Sequence, residues 1–212
     1  MLKKIVKGLL YRPYTLVVIE RELDAPVRSY KTSKRWEIRQ MIEADLPRCQ
    51  TYLSHQMVFF AELFKTNCKG FVAVEHSTGD IIAVAWFAPE DFYDSYHRYT
   101  FKVNSHEVFQ FAGEVAEPFR KTPLAVQVQN MAWKYWSAQG KKMVTSNIES
   151  DNSASFRMAF HVGWRETGTL ICLQRWLGLQ FSRVVHYEGE RFSKYQKKRK
   201  KISDNLEEVS ST

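Results

Sequence analysis

Val115-Ala116-Glu117-Pro118-Phe119-Arg120-Lys121-Thr122-Pro123-Leu124-Ala125 is the stretch whose reading decides the fold of this chain. Upstream, residues 108–116 carry the apolar pattern of a β-strand. Downstream, Leu124, Val128, Met131, Ala132 and Tyr135 recur at helical spacing until Gly140. A strand therefore feeds a short basic loop and then a helix. Thr122 suits the N-cap, and Pro123 suits the first helical position, where a missing N–H costs little. The first turn of such a helix has N–H groups with no partner inside the helix, and Arg120 and Lys121 set two positive charges beside them. From physics alone the segment is a candidate anion site.

The surrounding chain supplies the rest of a sheet. Trp36–Met41 reads as a strand, and Glu43-Ala44-Asp45-Leu46-Pro47 as a helix start whose pattern continues to about Lys65. Phe71–Glu75 and Ile81–Phe87 are predicted strands joined by a turn at Ser77-Thr78-Gly79-Asp80. Residues 88–106 read as a polar connection in which Tyr93, Tyr96, Tyr99 and Phe101 sit among Glu90, Asp91 and Asp94. A connection of that length has a job or a structure of its own. Met143–Ile148 is a strand, residues 153–161 a helix, Trp164–Leu173 a strand and Phe181–Tyr187 a last strand. Ahead of all this, residues 2–10 have the spacing of a short basic amphipathic helix, and Thr15–Ile19 is a β-rich run. The alternation of strands and helices predicts an α/β domain with a mixed sheet.

Composition bounds the function. Of 212 residues, 44% are hydrophobic and 14% aromatic, which supports a packed core. No apolar run approaches the roughly 20 residues of a membrane span, and no signal peptide is evident, so a cytoplasmic location is expected. Three scattered cysteines form no disulfide framework, and the histidines form no metal-ligand spacing, so no metal is expected. The net charge of +8 is uneven: residues 1–40 carry +6, residues 41–190 carry −2 and residues 191–212 carry +4. Basic ends of this kind suit peripheral contact with an anionic membrane surface. There is no nucleic-acid recognition motif, so no specific nucleic-acid partner is expected. The expected layout is an N-terminal extension over residues 1–34, a domain over 35–190, and a disordered basic tail over 191–212.

A second segment sharpens the reading: Asn152-Ser153-Ala154-Ser155-Phe156-Arg157-Met158-Ala159-Phe160-His161-Val162-Gly163-Trp164. As an ordered pair, the two segments resemble the GNAT superfamily of acyl-CoA N-acyltransferases over about residues 35–187. The resemblance implies a GNAT-like mixed sheet flanked by helices. It also implies acetyl-CoA, or another acyl-CoA, as co-substrate. Arg120, Lys121, Thr122, Leu124 and Ala125 would cradle its pyrophosphate, Val115 would lie beside its pantetheine arm, and Asn152 and Ser155 would contact the pantetheine side. The implied reaction is transfer of an acyl group, acetyl above all, to an amine acceptor: a small molecule or a saccharide such as an amino sugar or envelope precursor.

For this chemistry the fourth strand of the family needs a bulge, and Gly113 is a natural place for it. Glu114 is then the first candidate base, and Glu107, at the start of the same strand, the second. Two departures stand against turnover. Pro123 occupies the place of the family's first glycine, and Ala159 that of a tyrosine that protonates the leaving thiolate in many members. They motivate an alternative, a GNAT-like binding or scaffold module without catalysis.

Overall fold

The computed structural model describes residues 11–26, 30, 31, 33–176 and 179–195. In chain order the strands are β1 (Tyr11–Glu22), β2 (Trp36–Gln40), β3 (Lys69–Glu75), β4 (Ile81–Ala88), β5 (Phe92–Asp94), β6 (Tyr99–Phe101), β7 (Glu107–Val115), β8 (Met143–Glu149), β9 (Arg165–Trp176) and β10 (Leu179–His186). The α-helices are α1 (Met57–Leu63), α2 (Leu124–Ala138) and α3 (Ser153–His161). The mixed α/β class expected from the sequence is the one observed. The chain divides into two compact units, residues 22–146 and residues 1–21 with 147–212. The expected helix at 2–10 and the tail from residue 196 lie outside the described residues.

In the unit of residues 22–146 the strands lie in the order β2-β3-β4-β7-β8. The first four pair antiparallel, and β7 pairs parallel with β8. A parallel pair needs a long crossover, which α2 provides. Every residue of β4 is buried, and so is all of β3 except Lys69. That is why these strands read as apolar runs and not as alternations. Phe71 packs on Tyr135 of α2, while Phe60 of α1 packs on Trp86. Gly70 lets Trp86 close in, since a Cβ there would sit 2.9 Å from the indole ring.

Two expectations change here. The helix predicted from Glu43 to Lys65 is broken into 3-10 turns at Glu43–Cys49 and Ser54–Gln56 followed by α1. Asp45 is the physical cause: its carboxylate takes the Ile42 N–H at 3.0 Å and both Arg39 guanidinium nitrogens at 2.6 and 2.8 Å, which fixes a tight first turn. Pro47 lacks the N–H that an α-helix would use. Burial alone would push the Asp45 carboxyl up, but the Arg39 and Ile42 donors outweigh it and hold it below the ordinary range. Next to it, burial pushes the Cys49 thiol up to about 11, so this cysteine is a core residue and no nucleophile at neutral pH. The second change is in residues 88–106, where β5 and β6 form a hairpin. Asp94 Oδ1 accepts the Tyr96 and His97 N–H groups, closing the turn, and Arg98 takes a left-handed φ of 50°. The hairpin caps β7 with stacked rings: Phe101 on Phe109 at 4.6 Å and Phe92 on Phe111 at 3.9 Å.

In the other unit, β9 is flanked by β10 and β1, both antiparallel to it. The predicted β-rich run at Thr15–Ile19 is the middle of β1. Arg21 is buried, and its Nε donates to the Val162 carbonyl at the end of α3 at 2.9 Å. Gly168 has φ of 76°, and a Cβ there would meet the Tyr187 carbonyl at 2.7 Å, so only glycine fits.

Candidate active site

The decisive local feature lies in the middle of β7. Its pairing with β4 runs Phe109, Gln110 and Phe111 against Ala88, Phe87 and Trp86, then resumes with Glu114 opposite Val84. Two residues, Ala112 and Gly113, therefore face a single residue of β4, which is a β-bulge. The left-handed residue is Ala112, with φ of 47°. The sequence pointed to Gly113, because glycine tolerates that region best. The structure moves the strained position one residue earlier, where a methyl group must be accommodated. Gly113 has a different role: a Cβ there would meet nothing nearer than Gln110 Nε2 at 4.0 Å, so this side of the strand is open.

A bulge breaks alternation and re-aims the residues after it. Glu114 is turned so that its Oε2 accepts from Gln56 Nε2 and lies 3.1 Å from His55 Nε2. Its side chain is 25% exposed, against 3% for Asp45, so it is anchored without being sealed. Beside it is a cavity of about 460 Å³ lined by His55, Gln56, Phe59, Asp94, Ser95, Tyr96, Phe111 and Ala112. The bulge residue thus forms part of the cavity wall, and the β5–β6 turn forms another part. Asp94 is committed to its turn and to His97 Nδ1 at 2.7 Å. Burial would raise its pKa, but these hydrogen bonds, the His97 ring first among them, hold it below the ordinary carboxylate range. A larger depression of about 620 Å³ lies against β2 and α2, lined by Trp36, Glu37, Met131 and Lys134 among others. Its lining includes neither Glu114 nor His55, nor any residue of the bulge.

Glu107 is at the other end of β7, seven residues or roughly 23 Å away along an extended strand. Its carboxylate takes the Asn104 N–H at 3.2 Å and lies 3.7 Å from His106 Nε2. It closes the loop that enters the strand, and the fold does not bring it to Glu114.

The basic loop leaves β7 at Val115, which pairs with Ala83. Glu117–Phe119 makes one 3-10 turn, and Phe119 is buried against Tyr52 and beneath the Arg35 guanidinium. Arg120 folds back so that its Nε donates to the Val115 carbonyl at 3.3 Å. The helix begins one residue later than predicted. Pro123 is the N-cap, its carbonyl accepting the Gln127 N–H, and Leu124 is the first helical residue. Thr122 sits just outside. Its hydroxyl donates to the Phe119 carbonyl at 2.6 Å and offers Leu124 N–H only a long contact of 3.4 Å. The N–H groups of Ala125 and Val126 belong to the first turn, which has no carbonyl one turn earlier within the helix. With Arg120 and Lys121 alongside, the donor chemistry fits a phosphate or pyrophosphate. Asn152 and Ser155 lie in the other unit, where the Asn152 side chain caps α3 by accepting the Ser155 N–H at 3.1 Å. Among the described residues no group of three or more His, Cys, Asp or Glu is placed to hold a metal ion.

Sequence reasoning missed His55 and Gln56. They precede α1 and reach Glu114 across 59 and 58 residues, and no local pattern announces such a contact.

No protein-family model and no curated protein matches the sequence. Solved structures do match. A Drosophila protein superposes with a TM-score of 0.56 at 13% identity, over 84% of this chain and 56% of that one. A GCN5-related N-acetyltransferase from Sphaerobacter thermophilus does so with a TM-score of 0.51 at 13% identity, over 90% and 58%. An aminoglycoside N-acetyltransferase in complex with CoA matches with a TM-score of 0.51 at 21% identity, over 73% of this chain and 99% of that one. The chain spans 56 to 66% of the length of three of the solved proteins it resembles. At such identities the likeness is one of fold.

Proposed function

We propose that this chain, which has the fold of the GNAT acetyltransferases, transfers an acetyl group from acetyl-CoA to the amine of a small molecule or saccharide. One observation carries the reading: a strained bulge at Ala112 forms the wall of a cavity that is flanked by an anchored, accessible carboxylate, Glu114. Acetyl-CoA supplies an activated thioester; the rest is done by side chains and backbone. The α2 start with Arg120 and Lys121 suits the pyrophosphate, and the open side of Gly113 leaves room for an extended arm along β7. Ala112 and Gly113 lie outside the β4 register, and a backbone N–H of this bulge is the donor assigned here to the carbonyl oxygen on which negative charge develops. The acceptor amine attacks the thioester carbon, a C–N bond forms and the C–S bond breaks. The proton lost from the amine passes to Glu114, directly or through the His55 ring 3.1 Å away. The leaving thiolate then takes up a proton. Positioning in the cavity contributes independently of any proton transfer.

Steady-state kinetics on Glu114→Gln test the assignment. Loss of the base lowers turnover roughly 10²–10⁴-fold, least at high pH, where the amine deprotonates itself. A change under about threefold, with chemistry rate-limiting, removes Glu114 from the mechanism.

A second reading rests on Ala159. Its methyl group is buried, 2% exposed, so no proton donor for the thiolate stands at that position of α3. A chain that binds acetyl-CoA but never cleaves its thioester, with any amine offered, is a binding module.

A further inference from the structure

The strand β10 is the element that the fold leaves least covered. It pairs with β9 along one edge, and among the described residues no strand lies along the other. None of its eight residues is buried. Leu179, Phe181 and Val184 are 59, 56 and 48% exposed. Edge strands in soluble proteins are blunted by brevity, proline, lysine or a bulge. β10 has no proline and no lysine, and its register with β9 runs unbroken from Leu179 to His186. A bare edge of this length and composition calls for a cover.

Register decides what the cover is. Just past the strand the Tyr187 N–H donates to the Gly168 carbonyl, its opposite number if the β9 register is continued. Antiparallel alternation then turns the backbone groups of Leu179, Phe181, Arg183 and Val185 toward β9, and those of Ser182 and Val184 outward. A second copy of β10 fits the outer edge antiparallel, about a two-fold axis perpendicular to the sheet, with outward residues meeting outward residues. Two such registers have the longest overlap. One is centred on Arg183 and sets two guanidinium groups directly opposite each other, which is repulsive. The other is centred on Ser182. It sets Phe181 opposite Arg183 of the second copy and Leu179 opposite Val185, so that ring meets cation and apolar meets apolar, twice over by symmetry. We infer that the chain forms a symmetric dimer through β10 in the register centred on Ser182, with β9 and β10 of both copies in one continuous sheet. The dimer does not depend on the acyl transfer proposed above.

Sedimentation equilibrium on the full chain tests the dimer, and a charge swap tests its register. The wild-type chain is expected at twice its monomer mass in the micromolar range. Phe181→Lys sets an ammonium against Arg183 of the second copy and should weaken the dimer roughly tenfold, with an unchanged circular dichroism spectrum because the side chain is exposed in the monomer. Adding Arg183→Glu turns that repulsion into attraction at both symmetric contacts and should restore the dimer. In the register centred on Arg183 the same addition would oppose two carboxylates and restore nothing. If Phe181→Lys does not fold, Ser182→Cys in a Cys172→Ser chain replaces it: the two cysteines would have Cα atoms about 5.5 Å apart, within disulfide range, and mild oxidation should cross-link the chain into dimers. A wild-type chain that stays monomeric, or that grows into ever larger species as concentration rises, overturns the inference. So does a dimer that Phe181→Lys leaves intact, one that the charge swap fails to restore, or a Ser182→Cys chain that does not cross-link.

Discussion

The two halves of β7 look alike in sequence and behave differently. In the first half, Val108, Phe109 and Gln110 are buried; Phe109 pairs with both β4 and β8, Gln110 with β4 and Val108 with β8. In the second half, Phe111 to Val115 are all partly exposed, the ladder to β4 slips, and one residue is forced into a left-handed conformation. Phe109 and Phe111 even share the same aromatic stack beneath the β5–β6 hairpin. What separates the halves is not polarity. It is whether the backbone is fully paired. A strand paired on both flanks has nothing left to offer, whereas a bulged one leaves an extra residue outside the ladder and redirects side chains.

Mutations should divide along the same line. The largest stability effect is expected in the first half. Phe109→Ala removes a ring 4.6 Å from Phe101 and leaves a cavity, and should cost about 3–5 kcal/mol in denaturant unfolding. A loss under about 1 kcal/mol would mean that the stack contributes little and the halves are energetically equal.

A moderate effect is expected at the hairpin that covers both halves. Asp94 titrates below its ordinary value in the folded chain. The stability it contributes is therefore fully present above its unfolded pKa, about 3.9, and is lost as pH falls through the lower folded value. Hydrogen exchange between pH 5 and 3 should show the 94–98 turn opening ahead of β3 and β4. Asp94→Asn should remove that pH dependence. An unchanged acid profile in the variant would assign the opening to another carboxylate.

The smallest effect is expected at the bulge. A left-handed alanine costs roughly 1–2 kcal/mol, and Ala112→Gly relieves that while adding freedom to the unfolded chain. The net gain should stay under about 1 kcal/mol, a rise of a few degrees in Tm. Turnover should fall modestly as the bulge loses its fixed shape. Clear destabilisation would show that the Ala112 methyl is a packing contact and not a source of strain.

The sequence was informative wherever the structure is local. The strand, basic loop and helix around Arg120 are present, as are the turn at Gly79 with φ of 76° and the α2 stop at Gly140 with φ of 82°. Asn152, expected from the sequence only as a cofactor contact, also caps α3 by a contact within four residues of chain. Four things were not legible, for distinct reasons. The Asp45–Arg39 pair tightens a predicted helix into 3-10 turns because side-chain hydrogen bonding there outcompetes helical periodicity. The β5–β6 hairpin hides in a polar stretch because each of its strands is only three residues long. The bulge includes Gly113, as expected, but its left-handed residue is Ala112, and a non-glycine residue at positive φ has no compositional signature. The His55 and Gln56 contacts to Glu114 depend on the whole sheet being assembled first.

The pairing of β1 with β9 has a consequence for how the chain is made. Glu20 and Arg165 are joined across 145 residues by a 2.9 Å ion pair. During synthesis β1 leaves the ribosome long before its partner exists, whereas residues 22–146 form a contiguous unit that can fold as it emerges. For the time it takes to translate those intervening residues, Leu16, Val17 and Ile19, all buried in the finished protein, stand on an unpaired strand. The nascent chain is thus open to aggregation at β1 until the later strands that pair with it have been made, and a chaperone that shields residues 11–22 would protect it over that interval.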